Sequence, residues 1–245
     1  MSVSGIVGDF VSLDLETTGL YPSRDKIIEI GAVKVIGGKE TESFSTLVNP
    51  GRKLEERIVE LTGIRDDDLK NAPYIEDVLG QILEFIGELP LLGHSVLFDY
   101  SFMKKAAVDR KLSFEKCGID TLKIARRFLP ELEHRSLGYL CSYYKIEHQA
   151  HRALNDARAT KELFLKLTED FYDAEVSESA LFRPQPLTAH VKRDIPASRH
   201  RKEQLYRLIN QHKITLDVDV ERLSRSEADR LIDKILSNAL LSTSC

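Results

Sequence analysis

The chain has 245 residues, of which 42% are apolar, so it can form one domain with a sizeable core and an appendage. Its formal net charge of −4 gives no sign of a strongly basic nucleic-acid binder, although a net sum can hide local patches. Three cysteines without CxxC spacing (Cys117, Cys141 and Cys245), no signal-like N-terminus and no apolar run near the roughly 20 residues of a membrane span predict a cytoplasmic protein with reduced thiols.

The first predicted elements are three strands, at residues 10–16, 26–36 and 41–49. These segments are rich in apolar and β-branched residues, and Gly37-Gly38 between the second and third is typical of a hairpin turn. The chain is therefore expected to begin with an antiparallel meander.

Two carboxylates stand on one face of the first strand, in FVSLDLETTGL at residues 10–20. Side chains alternate along an extended chain, so Asp14 and Glu16 point to the face opposite the leucines. Adjacent carboxylates repel each other at neutral pH unless they are solvated, share a proton or hold a cation. The pair marks either a solvated face or a cation site.

Helical patterns then alternate with short apolar segments. Residues 75–89, 98–111 and 153–171 have apolar residues at helical spacing, whereas 90–94 and the first part of 116–128 are typical of strands. This alternation predicts an α/β fold with a mixed sheet flanked by helices.

The pattern lapses after residue 173. Residues 174–198 hold three of the eight prolines and are expected to form a linker. Helices are predicted at 203–213 and 224–241, the second beginning with a capping box from Ser224 to Glu227. We therefore divide the chain into a domain at 1–173, a linker at 174–198 and a small helical module at 199–245.

The role of the helical module is open at this stage. It faintly resembles small SAP-type nucleic-acid modules, and protein docking is an equal alternative. A basic stretch before and within it could track a phosphate backbone or form a solvated linker. This stretch contains Lys192, Arg193, Arg199, His200, Arg201 and Lys202.

Further acidic residues lie where α/β sites usually form. Asp99 follows a predicted strand at the carboxyl edge of the sheet. Five residues along an ideal helix differ by about 140° in direction, so His151 and Asp156 can share a site only if His151 precedes the helix. We predict that His151 lies in the loop before the helix.

The motifs DLETTG, GHSVLFDYSFM, DTLKIAR and HRALNDA, in this order, resemble those of the DEDDh (DnaQ-like) 3′→5′ exonucleases. This is the family of the proofreading epsilon subunit of bacterial DNA polymerase III. The resemblance also takes in RIVELTGIRDDDLKNAP and covers roughly residues 8–172. It implies a ribonuclease H-like domain, and His151 indicates the histidine subgroup rather than the tyrosine one.

The resemblance also implies the roles of the acidic residues. It makes Asp14, Glu16, Asp99 and Asp156 the ligands of two divalent cations, Mg²⁺ or Mn²⁺, with oxygen donors that such hard cations prefer. It makes His151 the general base, which takes a proton from the attacking water during an in-line displacement.

The turn after the carboxylate pair is implied to bind substrate. By resemblance, Thr17, Thr18 and Gly19 would hold the 3′-terminal nucleotide, while Leu20 and Phe102 would contact its base. The alternative is an ordinary turn with a buried leucine.

Other polar residues are expected to have no part in the chemistry. His94 should be a hydrogen-bonded structural residue, His148 should be exposed, and Asp120 should cap the helix that follows it. The acidic run at residues 66–68 should be a solvated turn.

These features predict a metal-dependent 3′→5′ exonuclease that releases nucleoside 5′-monophosphates from single-stranded or frayed 3′ ends, with DNA favoured. The alternatives are an RNA-trimming exoribonuclease or oligoribonuclease, and a non-catalytic nucleic-acid or polymerase-binding module. The expected partners are single-stranded nucleic-acid 3′ ends, and a DNA polymerase remains an open alternative. We expect no association with membranes.

Overall fold

Residues 8–173 and 177–242 are described by a computed structural model, without the side chains of residues 177–178 and 238–242. The chain divides into two compact units, Met1–Pro50 with Leu54–Val191 and Gly51–Lys53 with Lys192–Cys245. Cys117 is exposed and Cys141 is buried, both as free thiols, whereas Cys245 lies outside the described residues.

The first three strands form the predicted antiparallel meander. Strand β1 (Phe10–Thr17) pairs with β2 (Ile27–Ile36), which pairs with β3 (Lys39–Leu47). The turn between β2 and β3 uses Gly37 and Gly38 at φ values of 56° and 76°, which glycine adopts without a steric penalty. Both the meander and its turn are confirmed.

Three shorter strands complete a mixed six-stranded sheet in the order β3-β2-β1-β4-β5-β6. Strand β4 (Leu91–Gly93) is parallel to β1, β5 (Cys117–Asp120) is parallel to β4, and β6 (Gln185–Pro186) is antiparallel to β5. The parallel arrangement brings the carboxyl ends of β1, β4 and β5 to one edge. The mixed sheet flanked by helices agrees with the prediction.

Seven helices of the first unit lie in its described part. They are α1 (Glu56–Thr62), α2 (Asp66–Leu69), α3 (Ile75–Ile86), α4 (Val96–Asp109), α5 (Thr121–Phe128), α6 (Leu137–Tyr144) and α7 (Ala153–Phe171). Helices α3, α4, α5 and α7 were predicted, and α7 has the expected bounds. Helices α1, α2 and α6, which have four to eight residues, were not predicted, because a short helix gives only a weak periodic pattern.

The acidic run at residues 66–68 is exposed, as predicted, but it is part of a helix rather than a simple turn. It forms the first turn of α2, where Asp68 Oδ2 accepts a hydrogen bond from the Arg65 backbone N–H at 2.9 Å. Asp66 Oδ1 accepts another from the Leu54 N–H at 2.9 Å. Carboxylates are favourable at a helix N-terminus because of the unpaired N–H groups and the helix dipole there.

Helices cover both faces of β1. Val11, Leu13 and Leu15 belong to one core cluster, which includes residues of α3 and α4. On the opposite face Ser12 is fully buried, and its hydroxyl donates to the carbonyl oxygen of Ala157 in α7 at 2.7 Å. The face that carries Asp14 and Glu16 is therefore partly covered by α7, which argues against the solvated-face interpretation.

The predicted linker is corrected over its first part. Ser177–Phe182 forms a short 3₁₀-helix, and the buried Phe182 ring lies 5.6 Å from the Phe128 ring and 6.3 Å from the Phe164 ring. Strand β6 follows at Gln185–Pro186. These contacts attach the segment to the first unit, which continues to Val191 rather than ending at 173.

The second unit contains the two predicted helices, α8 (Arg199–His212) and α9 (Arg225–Ser242). Its own core includes Leu205, Ala228 and Ile232. The capping box is confirmed, since the Glu227 N–H donates to Ser224 Oγ at 3.3 Å and the Ser224 N–H donates to Glu227 Oε2 at 2.9 Å. Throughout residues 8–173 and 177–242, every helix is too short or too polar to cross a membrane.

Candidate metal centre

Carboxylates from β1 and α7 converge at the carboxyl end of β1. One carboxylate oxygen each from Asp14, Glu16 and Asp156 lie within 4.8 Å of one another. Asp99, in the first turn of α4, lies beside this group, because its Oδ1 accepts a hydrogen bond from the Leu15 N–H at 3.0 Å. The fold thus brings together four acidic residues that are up to 142 positions apart in sequence, from 14 to 156.

This donor set fits a divalent cation. Burial, followed by the neighbouring carboxylates, raises the pKa of Asp14 well above its usual range. Burial likewise raises the pKa of Asp99. Burial, followed by the charges of Asp156 and Glu29, raises the pKa of Glu16 to about 7. Such a cluster resists ionisation unless positive charge offsets it, and a hard cation with oxygen ligands provides that charge.

We expect the metal-free protein to lose stability as the pH rises from about 4.5 to about 7. The pKa of Glu16 is about 7 in the folded state against 4.5 for the free side chain, and the pKa shifts of Asp14 and Asp99 have the same sign. The folded state therefore binds protons more tightly than the unfolded state, and this stabilisation disappears across that window.

Thermal denaturation in EDTA at several pH values measures this effect. The difference in Tm between Asp14→Asn and the wild type should grow with pH, whereas Asp67→Asn, at an exposed carboxylate, should show no such trend. A Tm difference between Asp14→Asn and the wild type that stays constant or shrinks between pH 5 and pH 7.5 would contradict the repulsion among the carboxylates.

Of the two nearby histidines, His151 lies where it was expected and His148 does not. His151 is exposed and lies in the loop before α7 with φ of 65°, so its predicted loop position is confirmed. His148 was expected to be exposed, but its side chain is only 8% exposed and its Nε2 contacts Asp156 Oδ1. The loop after α6 turns His148 inward, where the Asp156 carboxylate offers a hydrogen-bond partner. Sequence spacing alone could not show this, because the segment is not helical.

Sequence reasoning missed Glu29, which belongs to the same cluster. Glu29 pairs with Glu16 across β1 and β2, and its side chain is 2% exposed. It contacts Arg152 and the N-terminus of α7. The available signal was a single acidic residue inside the strand IIEIGAVKVI, in which Lys34 is the only other charged residue.

Gly31 lets α7 approach the sheet closely. A Cβ atom at this position would lie 2.1 Å from the Ala153 carbonyl carbon and 2.1 Å from the Leu154 backbone nitrogen. Both atoms are backbone at the start of α7, so a side chain at residue 31 would displace the helix that carries Asp156. The partner of Gly31 across the sheet is Asp14.

Gly31→Ala should therefore reduce both stability and activity. We expect a loss of about 1–3 kcal/mol in the free energy of unfolding, the usual range for overpacking, together with weaker metal binding. Gly80→Ala is the matched control, because nothing lies within 4 Å of its added Cβ and it should stabilise α3 by about 0.5–1 kcal/mol. Urea unfolding measures both effects, and a Gly31→Ala protein as stable as the wild type would contradict the close approach.

The turn after β1 presents one exposed apolar side chain. Leu20 is 71% exposed, so the alternative of a buried leucine is wrong. The Thr17 hydroxyl donates to the Gly19 carbonyl oxygen at 2.7 Å, and Thr18 Oγ1 accepts from the Lys26 N–H at 3.0 Å. These bonds shape the turn and leave Leu20 open to a ligand.

Phe102 does not share this exposure. It is 3% exposed in the main core, with its ring 5.1 Å from that of Phe98 one helical turn earlier. The contact with a substrate base that the resemblance implied for Phe102 is therefore corrected, because α4 turns this ring into the core.

His94 and Asp120 have the structural roles that were predicted. His94 is hydrogen-bonded through Nδ1 to Thr121 Oγ1 at 2.9 Å and through Nε2 to the Arg135 carbonyl oxygen at 2.8 Å. Burial lowers the pKa of His94. Asp120 caps α5 by accepting from the Leu122 and Lys123 N–H groups.

Half of the basic stretch in the second unit is already paired. Arg199 contacts Glu203 at 2.8 Å, Arg201 contacts Asp229 at 3.0 Å, and Lys202 contacts Glu221 at 2.8 Å. Ion pairs within the module account for these three cations without invoking nucleic acid.

Comparisons with known proteins give a consistent result. A family profile described as Exonuclease (RNase T) matches residues 11–164. The DNA polymerase III epsilon subunit of Aquifex aeolicus is 41% identical over 167 residues, which cover 67% of this chain and 83% of that protein. The PolC-type DNA polymerase III of Bacillus subtilis is 35% identical over 242 residues, covering 93% of this chain. The chain spans only 12% to 17% of such PolC-type relatives.

Solved structures show the same architecture. Exonuclease X in complex with 5′ overhanging duplex DNA is 29% identical with a TM-score of 0.53, over 68% of this chain and 95% of that one. Exonuclease I is 21% identical with a TM-score of 0.60, over 66% of this chain and 41% of that one, and supports the fold alone.

Proposed function

Since this chain belongs to the exonuclease family of the RNase T type, we propose that it removes nucleotides from single-stranded or frayed 3′ ends of DNA as nucleoside 5′-monophosphates. The observation that carries the proposal is the convergence of Asp14, Glu16 and Asp156, with Asp99 beside them. A non-catalytic binding module would have no need of this repulsive cluster.

The four carboxylates would hold two divalent cations, Mg²⁺ or Mn²⁺. When bound, such cations supply Lewis-acid activation of water and stabilise charge on the phosphate oxygens. The carboxylates of Asp14 and Glu16 approach from β1, and those of Asp156 and Asp99 from two helices. Cations held by these carboxylates would orient a scissile phosphate.

His151 would accept the proton from the attacking water. Its side chain is exposed in the loop that leads into α7, five residues before Asp156. Imidazole accepts protons efficiently near neutral pH, and a loop position lets the ring approach a substrate when one binds.

The Thr17–Leu20 turn would bind the 3′-terminal nucleotide. The exposed Leu20 side chain offers an apolar surface for a base, next to the carboxylates of β1. Since Thr17 and Thr18 hydroxyls are engaged within the turn, we assign this contact mainly to Leu20 and to the backbone around Gly19.

DNA is the favoured substrate, because the matched relatives include DNA polymerase III subunits and an exonuclease solved with DNA. The match to the Bacillus subtilis polymerase covers 93% of this chain and therefore extends beyond the first unit into the second. Because this similarity is to part of a polymerase chain, we propose a DNA polymerase as a partner. We also propose that the protein is located in the cytoplasm.

Digestion of matched 5′-labelled DNA and RNA oligomers tests the function. With Mg²⁺ or Mn²⁺ we expect progressive shortening of DNA from the 3′ end, slower shortening of RNA and no reaction in EDTA. Faster digestion of RNA would favour the RNA-trimming alternative. Binding without cleavage of either polymer would favour the binding module.

A further inference from the structure

Glu29 is a buried carboxylate that the proposed chemistry does not use. It is the third residue of β2, opposite Glu16, and is 1% exposed as a residue. A buried carboxylate beside a cluster of other carboxylates is costly unless its own hydrogen bonds offset the desolvation. Its contacts therefore indicate its role.

Both oxygens of Glu29 are occupied by the segment that opens α7. Oε1 accepts hydrogen bonds from Arg152 Nε at 3.2 Å and from Arg152 Nη2 at 3.1 Å. Oε2 accepts from the Ala153 backbone N–H at 3.1 Å, one of the unpaired donors at the helix N-terminus. With both oxygens engaged, Glu29 is bound to the protein rather than free to ligate a cation.

The segment that Glu29 holds connects the two groups on which the proposed hydrolysis depends. Arg152 directly follows His151. The Arg152 N–H donates to Asp156 Oδ2 at 3.0 Å, and the Asp156 N–H donates to the Arg152 carbonyl oxygen at 3.0 Å. A shift of Arg152 would therefore move both His151 and the Asp156 carboxylate.

We propose that Glu29 is a positioning residue for catalysis, which fixes the start of α7 so that His151 and Asp156 face the carboxylates of β1. This inference rests on the proposed exonuclease function. Glu29 anchors the helix from the neighbouring strand β2, at the point where Gly31 allows the close approach of the two backbones. Groups that hold catalytic ligands from outside typically affect metal affinity or activity by about 10- to 100-fold.

Glu40 provides a matched control. This carboxylate on β3 also pairs with α7, through Arg158 at 3.0 Å and Lys161 at 3.0 Å, but it does so beyond the turn that carries Asp156. Glu40→Gln removes a strand-to-helix ion pair without touching the segment of residues 151–153.

The test compares steady-state kinetics and amide hydrogen exchange of the full chain. Glu29→Ala should lower kcat by about 10- to 100-fold with KM for a single-stranded DNA oligomer within about threefold of the wild type. Glu29→Gln keeps one acceptor oxygen and the side-chain shape, so its kcat should lie between that of Glu29→Ala and that of the wild type. In metal-free protein, the peptide covering residues 150–156 should exchange faster in Glu29→Ala but not in Glu40→Gln.

A double variant of Glu29 and His151 distinguishes a positioning role of Glu29 from a general loss of stability. Because Glu29 acts partly through His151, the loss of kcat in the double variant Glu29→Ala/His151→Ala should be smaller than the product of the two single losses. Fully multiplicative losses, a kcat of Glu29→Ala equal to that of Glu40→Gln, or unchanged exchange at residues 150–156 would overturn the inference. A wild-type protein without exonuclease activity would instead contradict the proposed function, and the exchange experiment would still test the anchoring.

Discussion

Asp14→Asn is expected to abolish turnover while leaving the protein folded. Asp14 is the carboxylate that interacts electrostatically with Asp99, Asp156, Glu16 and Glu29, and burial with these neighbours raises its pKa. The amide has the same shape but carries no charge, so it removes a metal ligand without opening a cavity. The loss should appear as absent digestion of a DNA oligomer at any Mg²⁺ or Mn²⁺ concentration.

The same variant should separate metal binding from folding. In EDTA at pH 7.5 we expect Asp14→Asn to unfold at a higher temperature than the wild type, because repulsion among the carboxylates is reduced. Added Mg²⁺ should raise the Tm of the wild type but not that of the variant, since ligand binding stabilises only a protein that can bind it. Near-normal turnover in Asp14→Asn would remove Asp14 from the site.

His151→Ala is expected to reduce turnover by roughly 10²- to 10⁴-fold, the usual range for a lost general base. Metal binding should change little, because the carboxylates remain in place. The measurement is single-turnover cleavage of a single-stranded DNA oligomer across a range of pH. Loss of the base should flatten the acidic limb of the pH–rate profile.

His148→Ala is the decisive comparison, because His148 rather than His151 contacts Asp156 in the structure. We expect His148→Ala to retain more activity than His151→Ala, since we assign His148 to a hydrogen bond that holds the Asp156 carboxylate and not to proton transfer. If His148→Ala loses more activity and flattens the acidic limb, the assignment of the base to His151 is wrong.

Strong periodic patterns allowed most of the first unit to be predicted. The meander, its Gly37-Gly38 turn and helix α7 each follow from local sequence, because strand alternation and helical spacing extend over many residues. Helices α1, α2 and α6 were missed because a short helix gives only a weak periodic pattern. The linker was predicted to begin too early because its three prolines are typical of a linker. Phe182, in the same segment, packs in a core formed by residues distant in sequence, and local sequence does not show that contact.

The candidate site was predictable at the residues that lie in the four sequence motifs. Asp14, Glu16 and Asp156 converge as expected, and Asp99 lies beside them. The inward turn of His148, the burial of Phe102 and the anchoring role of Glu29 depend on which helix covers which strand. Local sequence does not specify those contacts.

End-group dependence tests the central claim most directly. We would follow digestion of a 5′-labelled single-stranded DNA oligomer with a free 3′-hydroxyl, the same oligomer with a 3′-phosphate, and a circular single strand, all in Mg²⁺. The account predicts stepwise shortening of the first substrate with release of nucleoside 5′-monophosphates, and neither shortening of the blocked oligomer nor cutting of the circle. Equal cleavage of the circle, or digestion that continues in EDTA, would contradict a metal-dependent 3′→5′ exonuclease.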